Sequence, residues 1–148
     1  MSESPPAPEE AAAVAPRTRL LLVDDHEVVR IGLRQLFDSQ PDMLVCGEAA
    51  TLAAAQNAIA VLEPHVVILD LTLESESGLD LLRWLEREDR GARVLVLSMY
   101  DESLYSDDAV ALGARGYVMK DAPPSELLRA VRLVAAGGVY LSERLTQR

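Results

Sequence analysis

The sequence predicts an α/β fold, a (βα)5 doubly wound parallel sheet of five strands with helices on both faces. Three observations carry this. Short continuous apolar runs recur at Leu20-Leu21-Leu22-Val23, Val66-Val67-Ile68-Leu69, Val94-Leu95-Val96-Leu97 and Gly116-Tyr117-Val118-Met119. Runs of this kind, separated by stretches with helical signals, read as parallel strands buried on both faces. Each run also ends on polar residues: Asp24-Asp25, Asp70, Ser98 and Lys120.

The elements follow in order. The first strand is expected over 19–24. The first helix covers 26–37, with Val29, Leu33, Leu36 and Phe37 on one face and Arg30 and Arg34 on another. Pro41 marks a turn before the second strand, 43–47. The second helix, 51–62, is Ala-rich, with Thr51 as N-cap and Pro64 as its stop. The third strand, 66–70, leads to a helix over 78–88, and the fourth strand, 94–98, to one over 102–112 closed by Gly113. The fifth strand, 116–119, precedes a helix that starts at Pro123-Pro124, where proline suits a first turn, and ends at Gly137-Gly138. The domain is thus expected over 17–138. Residues 1–16, rich in Pro, Ala, Ser and Glu, read as a disordered tail without the basic start and apolar core of a signal peptide. Residues 139–148 read as the start of a C-terminal linker, with no output domain following in this chain.

The length of 148 residues and 49% hydrophobic content fit one domain with a sizeable core. No apolar run approaches the roughly 20 residues needed to cross a bilayer, so no membrane contact is expected. Cys46 is the only cysteine, which excludes an internal disulfide and a multi-cysteine zinc site; a buried, inert thiol is expected. A formal charge of −10 argues against the chain gripping nucleic acid through its own surface.

In an open α/β sheet the carboxyl ends of the strands face one crevice, where ligands bind. Asp24, Asp25, Asp70, Ser98 and Lys120 are therefore expected to converge there. Lys120 is the only lysine beside thirteen arginines. One polar residue after a strand means little, but five at the ends of four strands outweigh the plain reading in which each merely ends its strand. Crowded carboxylates repel unless a cation or protons intervene. A hard divalent ion such as Mg²⁺ suits oxygen ligands, and Lys120 would offset part of the remaining charge. A carboxylate so placed can attack a phosphoryl group to form an aspartyl-phosphate. Cations beside it would neutralise the transferring oxygens, and Ser98 could donate a hydrogen bond to one of them.

The same residues carry a resemblance. Leu22-Val23-Asp24-Asp25-His26, Ile68-Leu69-Asp70-Leu71 with Gly78 beyond it, Val96-Leu97-Ser98-Met99, and Gly113-Ala114-Arg115-Gly116-Tyr117-Val118-Met119-Lys120-Asp121-Ala122 stand in order. Residues 18–138 resemble the receiver domain of bacterial two-component response regulators, in the NarL/FixJ branch with its LuxR-type output. The resemblance implies a flavodoxin-like receiver fold and a cytoplasmic signalling protein that catalyses only its own phosphorylation and dephosphorylation. It implies Asp70 as phosphoacceptor, taking a phosphoryl group from a cognate sensor histidine kinase. It implies Mg²⁺ held directly by Asp25 and Asp70, through water by Asp24, and by the backbone carbonyl of Thr72. Ser98 would be the switch hydroxyl, Tyr117 the switch aromatic turning inward on phosphorylation, and Lys120 the partner of a phosphoryl oxygen. Thr72 and Tyr100 would flank the phosphoryl group and tune water access, with a purely surface role as the alternative for Tyr100. Homodimerisation on phosphorylation is expected, with DNA bound only through a C-terminal helix-turn-helix that this chain lacks. Two positions depart from the pattern: Leu73-Glu74 replaces the common Met-Pro, making the loop 74–77 more acidic, and Asp121 follows the lysine where many receivers have proline.

Other residues take plainer readings. His26 is expected to start the first helix at the rim rather than ligate a metal, since no second histidine is nearby in sequence. Trp84 reads as packing, His65 has no assigned role, and Arg129 and Arg132 read as solvated charges with a dimer salt bridge as the alternative. Alternative functions are a stand-alone receiver acting by protein–protein contact, an aspartate-based phosphatase or phosphotransferase, and nucleotide binding. Thr72, where such a phosphatase commonly has a second acid, counts against the second. Asp24-Asp25-His26 in place of a glycine loop counts against the third.

Overall fold

A computed structural model of the chain describes residues 16–73, 76–99 and 102–141, with only the backbone of 102–106. The expected tail apart from Pro16, the loop residues Glu74 and Ser75, Tyr100, and residues 142–148 lie outside the described residues. The chain runs β1 (Thr18–Val23), α1 (Glu27–Asp38), β2 (Met43–Ala49), α2 (Leu52–Leu62), β3 (Val66–Leu69), β4 (Thr72–Leu73), β5 (Glu76–Ser77), α3 (Leu79–Glu88), β6 (Arg93–Ser98), α4 (Glu102–Ala111), β7 (Gly116–Met119) and α5 (Pro124–Ala135).

The main sheet has the order β2-β1-β3-β6-β7, and all its pairs are parallel. The strands are buried because both faces are covered. Side chains alternate across a strand, so Leu21, Val23, Val67, Leu69, Val94, Val96 and Tyr117 pack on one face with Ala55, Ile59, Leu81, Leu85 and Ala109 of α2, α3 and α4. Leu20, Leu22, Val66, Ile68, Leu95, Leu97 and Val118 pack on the other with Phe37, Leu127, Ala130, Val131 and Val134 of α1 and α5. Each fully buried Leu, Ile or Phe adds about 1.5–3 kcal/mol relative to exposure. The chain winds outward in both directions from the β1/β3 pair, which makes that pair the topological switch point, where a crevice opens beyond the strand ends.

Helix ends follow local chemistry. Thr51 caps α2, its hydroxyl accepting from the Ala54 N–H at 3.2 Å. The Arg19 guanidinium donates to the carbonyls of Leu62 and Glu63 at the other end, satisfying groups the helix leaves open. Gly113, at φ +103°, closes α4 in a left-handed conformation that suits glycine.

Three features differ from the sequence reading. Residues 72–73 and 76–77 pair as an antiparallel hairpin, Thr72 with Ser77 and Leu73 with Glu76. Glu76 Oε1 accepts from the Leu52 N–H at 2.9 Å, tying this hairpin to the start of α2. The chain also stays on the sheet after α5: Tyr140 bridges Gly116 in parallel, donating to Arg115 O at 2.8 Å while its carbonyl accepts from Tyr117 N–H at 3.0 Å. The Tyr140 hydroxyl donates to Glu126 Oε2 at 2.8 Å, and Leu141 packs against the Tyr117 side of the core. Cys46 is half-buried rather than buried, because it is the extra residue where pairing shifts from Leu20↔Val45 to Leu21↔Gly47. Burial pushes its thiol pKa up against the opposing effect of Arg19 and Arg34.

Candidate functional site at the sheet switch point

β1 and β3 are neighbours, and both deliver acids at the same end. Asp24 follows Val23, and its N–H donates to Ala49 O at 3.0 Å. Asp70 follows Leu69, and its N–H donates to Val23 O at 2.9 Å. These bonds continue the strand ladder by one residue and fix where the acids leave the sheet. Asp24 and Asp70 are 3% and 2% exposed, a burial that charged groups show only with partners.

Lys120, just past β7, supplies one partner. Its Nζ lies 2.9 Å from Asp24 Oδ2 and 3.1 Å from Asp70 Oδ2. Its own N–H donates to Ser98 O at 2.7 Å, fixing the turn that delivers it. Burial works against the charged ammonium, but the bonds and charges of Asp24 and Asp70 outweigh it and raise the Lys120 pKa. The other Asp70 oxygen, Oδ1, accepts from the Thr72 N–H at 2.9 Å and from its hydroxyl at 3.0 Å. Both oxygens of Asp70 are therefore held in fixed directions.

His26 is the N-cap residue of α1, as its position suggests, and is largely exposed. Its N–H donates to Asp24 Oδ1 at 2.8 Å, and its Nδ1 lies 3.0 Å from that oxygen and 3.1 Å from Asp25 Oδ1. One ligand atom from each of Asp24, Asp25, His26 and Asp70 falls within a 4.8 Å group. Ser98, 1% exposed, ends β6 opposite Met119, and Tyr117 sits in β7 with no exposed surface. Asp24, Asp25, Asp70, Thr72 and Lys120 thus meet in one cluster, with Ser98 joined to it through Lys120. Tyr117 is already turned into the core, so the inward motion expected from sequence starts here from a buried ring.

Two contacts at the site go beyond what the sequence implies. Thr72, expected to act through its carbonyl and beside the phosphoryl group, holds Asp70 through its N–H and hydroxyl. Arg30, expected only on a polar face of α1, donates through Nη1 to the Asp24 carbonyl at 2.6 Å. A basic residue one turn into the helix that follows an acidic pair is the sequence signal for such a contact. Gly78 also acquires a reason: a Cβ there would lie 2.8 Å from both Asp70 O and Leu71 Cα. Its N–H donates to Leu71 O at 2.8 Å, so the chain passes too close for any side chain.

A parallel sheet thus gathers three acids at its switch point, with the ammonium of one lysine reaching them from the end of β7. Residues 20–132 match the family model of the response regulator receiver domain, and the chain belongs to that family. Its relatives are of the NarL/DevR type. It is 40% identical over 126 residues to the DNA-binding transcriptional activator DevR/DosR of Mycobacterium tuberculosis, covering 85% of this chain and 58% of that protein. It is 36% identical over 127 residues to the nitrate/nitrite response regulator protein NarL of Escherichia coli, covering 86% and 59%. Among solved structures it is similar to a LuxR-family two-component response regulator from an Aurantimonas species, with a TM-score of 0.83 and 35% identity over 88% of this chain and 94% of that one. The signal receiver domain of the putative response regulator NarL from M. tuberculosis gives 0.78 and 30%, over 82% and 98%. The chain spans 58–59% of the length of these two curated relatives. Among the described residues no helix is long and apolar enough to cross a membrane.

Proposed function

We propose that Asp70 accepts a phosphoryl group from a cognate sensor histidine kinase in the cytoplasm, and that the modified domain changes its contacts to control an output. The observation that carries this is the setting of Asp70: a buried carboxylate at the switch point, with Oδ2 on Lys120, Oδ1 on Thr72 and two further acids beside it. The Asp70 oxygen attacks phosphorus, the P–N bond to the kinase histidine breaks, and the imidazole leaves with a proton from solvent. Lys120 neutralises a phosphoryl oxygen, and the Ser98 hydroxyl donates to another.

The donor set fits Mg²⁺. Three of the four clustered ligand atoms are hard carboxylate oxygens, the fourth a nitrogen of the exposed His26 at the rim, and three carboxylates against one ammonium leave two negative charges, which one divalent cation balances. Asp25 and Asp70 would hold the ion directly, the Thr72 carbonyl would add a ligand, and Asp24 would reach it through water. Bound there, Mg²⁺ would offset charge on the transferring phosphoryl oxygens. Val28 and Met99, 81% and 67% exposed near Lys120, offer apolar surface for the kinase. The proposed output is transcription, through a C-terminal helix-turn-helix outside this chain and a homodimer formed on phosphorylation, since paired half-sites suit dimeric readers. Loss of the phosphoryl group by hydrolysis would be the domain's own activity.

The test is incubation with acetyl phosphate and Mg²⁺, read by intact mass. One phosphoryl group is expected on the wild type and none on Asp70→Asn. Equal labelling of the variant would remove Asp70 from the role.

A further inference from the structure

Arg30 touches the acidic pair through the main chain alone. Its side chain is 17% exposed, with Nη1 donating to the Asp24 carbonyl at 2.6 Å and Nε to Glu48 Oε1 at 2.9 Å. Glu48 stands near the end of β2, in register with Leu22 of β1, and its second oxygen accepts from Arg34 Nε at 2.6 Å. A carboxylate rooted in the sheet therefore fixes the guanidinium, and the guanidinium fixes the carbonyl. That carbonyl belongs to the peptide joining Asp24 to Asp25. The preceding peptide is already held by the Asp24 N–H on Ala49 O, so the carbonyl contact fixes the rotation of the Asp24–Asp25 peptide about the Asp24 Cα. Its plane decides how the two carboxylates diverge from neighbouring Cα atoms.

We propose that Arg30, anchored by Glu48, is a positioning residue for the acidic pair: it clamps the Asp24–Asp25 peptide so that both carboxylates face one divalent-cation site, and so sets the affinity of that site. Lys120 sits on carboxylate oxygens and shares them with any arriving cation. Arg30 places its charge beside the pair and leaves every carboxylate oxygen free of it. Outer partners that orient ligands act in this way at metal sites generally. The inference rests on the reading of Asp24, Asp25 and Asp70 as the Mg²⁺ site.

The sign of the effect separates positioning from simple charge. Removing a positive charge near three carboxylates strengthens cation binding if charge is all that matters. Removing a clamp weakens it. The experiment is calorimetric titration of the full chain with Mg²⁺ in wild type, Arg30→Met, Arg30→Lys and Asp25→Ala, each first shown folded by its thermal transition. Arg30→Met keeps the apolar stem and loses the fork; its affinity is expected to fall about tenfold. Arg30→Lys keeps the charge without the fork and is expected on the weak side as well. At saturating Mg²⁺ the rate of phosphorylation by acetyl phosphate should return to that of the wild type, because the clamp acts on assembly of the site. Wild-type affinity in both arginine variants, or tighter binding in Arg30→Met, overturns the proposal. Unchanged binding in Asp25→Ala overturns the site reading and the clamp together, whereas weak binding there with a normal Arg30→Met overturns the clamp alone.

Discussion

Replacing Lys120 with methionine removes the ammonium and keeps a stem of similar size. The ammonium lies 2.9 Å from one nearly buried carboxylate and 3.1 Å from another. At an effective dielectric of about 20, each contact carries about 5–6 kcal/mol of attraction. Taking the charges out of water offsets several kcal/mol of that. Removing one partner of a buried pair leaves the others uncompensated, and the net cost is on the order of 3–5 kcal/mol. For a domain of this size that lowers Tm on the order of 10–20 °C.

The loss should be largest in EDTA. Added Mg²⁺ should restore more stability to Lys120→Met than it adds to the wild type, because the ion binds the folded site whose charge is now least balanced. The pH dependence has a definite sign. The folded-state pKa of Lys120 is raised above the ordinary lysine value of 10.5, so its stabilisation is complete below that pH and is lost only as pH rises through the higher folded value. The difference between wild type and variant should therefore stay level from pH 7 to about 9 with respect to this group. Thermal unfolding followed by circular dichroism, with and without EDTA, measures all of this. A variant that melts with the wild type in EDTA would refute the argument that the lysine holds the buried acids together.

Gly78→Ala should cost about 1–3 kcal/mol, the range for overpacking, because its Cβ meets backbone atoms of residues 70 and 71 that cannot rotate away; a Tm drop with slower phosphorylation by acetyl phosphate is expected, and wild-type values in both would count against the close approach. A chain ending at Gly138 loses the two sheet bonds of Tyr140, its bond to Glu126 and the packing of Leu141, and should be less stable by about 2–3 kcal/mol at roughly 1 kcal/mol per bond; an unchanged urea midpoint would show that residues 139–141 lie idle on the edge.

The fold was legible because parallel strands covered on both faces must be apolar throughout. The runs at 20–23, 66–69, 94–97 and 116–119 leave little other reading. The acidic cluster was legible for a topological reason: once those runs are parallel strands, the residues after them share one end. What was not legible depends on contacts with no period. Thr72–Leu73 and Glu76–Ser77 are each two residues long, too short for alternation to show. Cys46 looked like part of an apolar run, but the register slip that half-exposes it arises from pairing with β1. Arg30 fell correctly on a polar helix face, yet whether such a residue meets water or a strand end is decided by Glu48, eighteen positions away and on another element.

The state of Tyr117 changes what switching can mean in this domain. A ring with no exposed surface cannot gain burial, so modification at Asp70 cannot draw it further inward by the hydrophobic effect. Its neighbours on β7 face two ways. Lys120, three residues on, holds the acids and is bonded to Ser98 O, while the Tyr117 N–H is bonded to Tyr140 in the segment that leaves α5. One short strand thus carries the counter-ion of the site at its end and the exit segment along its outer edge. Any shift of Lys120 on phosphorylation is a shift at the end of β7, and it reaches the bond to Ser98 O first and the outer-edge bonds to Tyr140 along the same strand. Beryllofluoride, which mimics the phosphoryl group, should therefore perturb the amide resonances of Tyr117 and Tyr140 together with that of Ser98. Perturbation limited to residues 70–73 would refute a link between the site and the sheet edge.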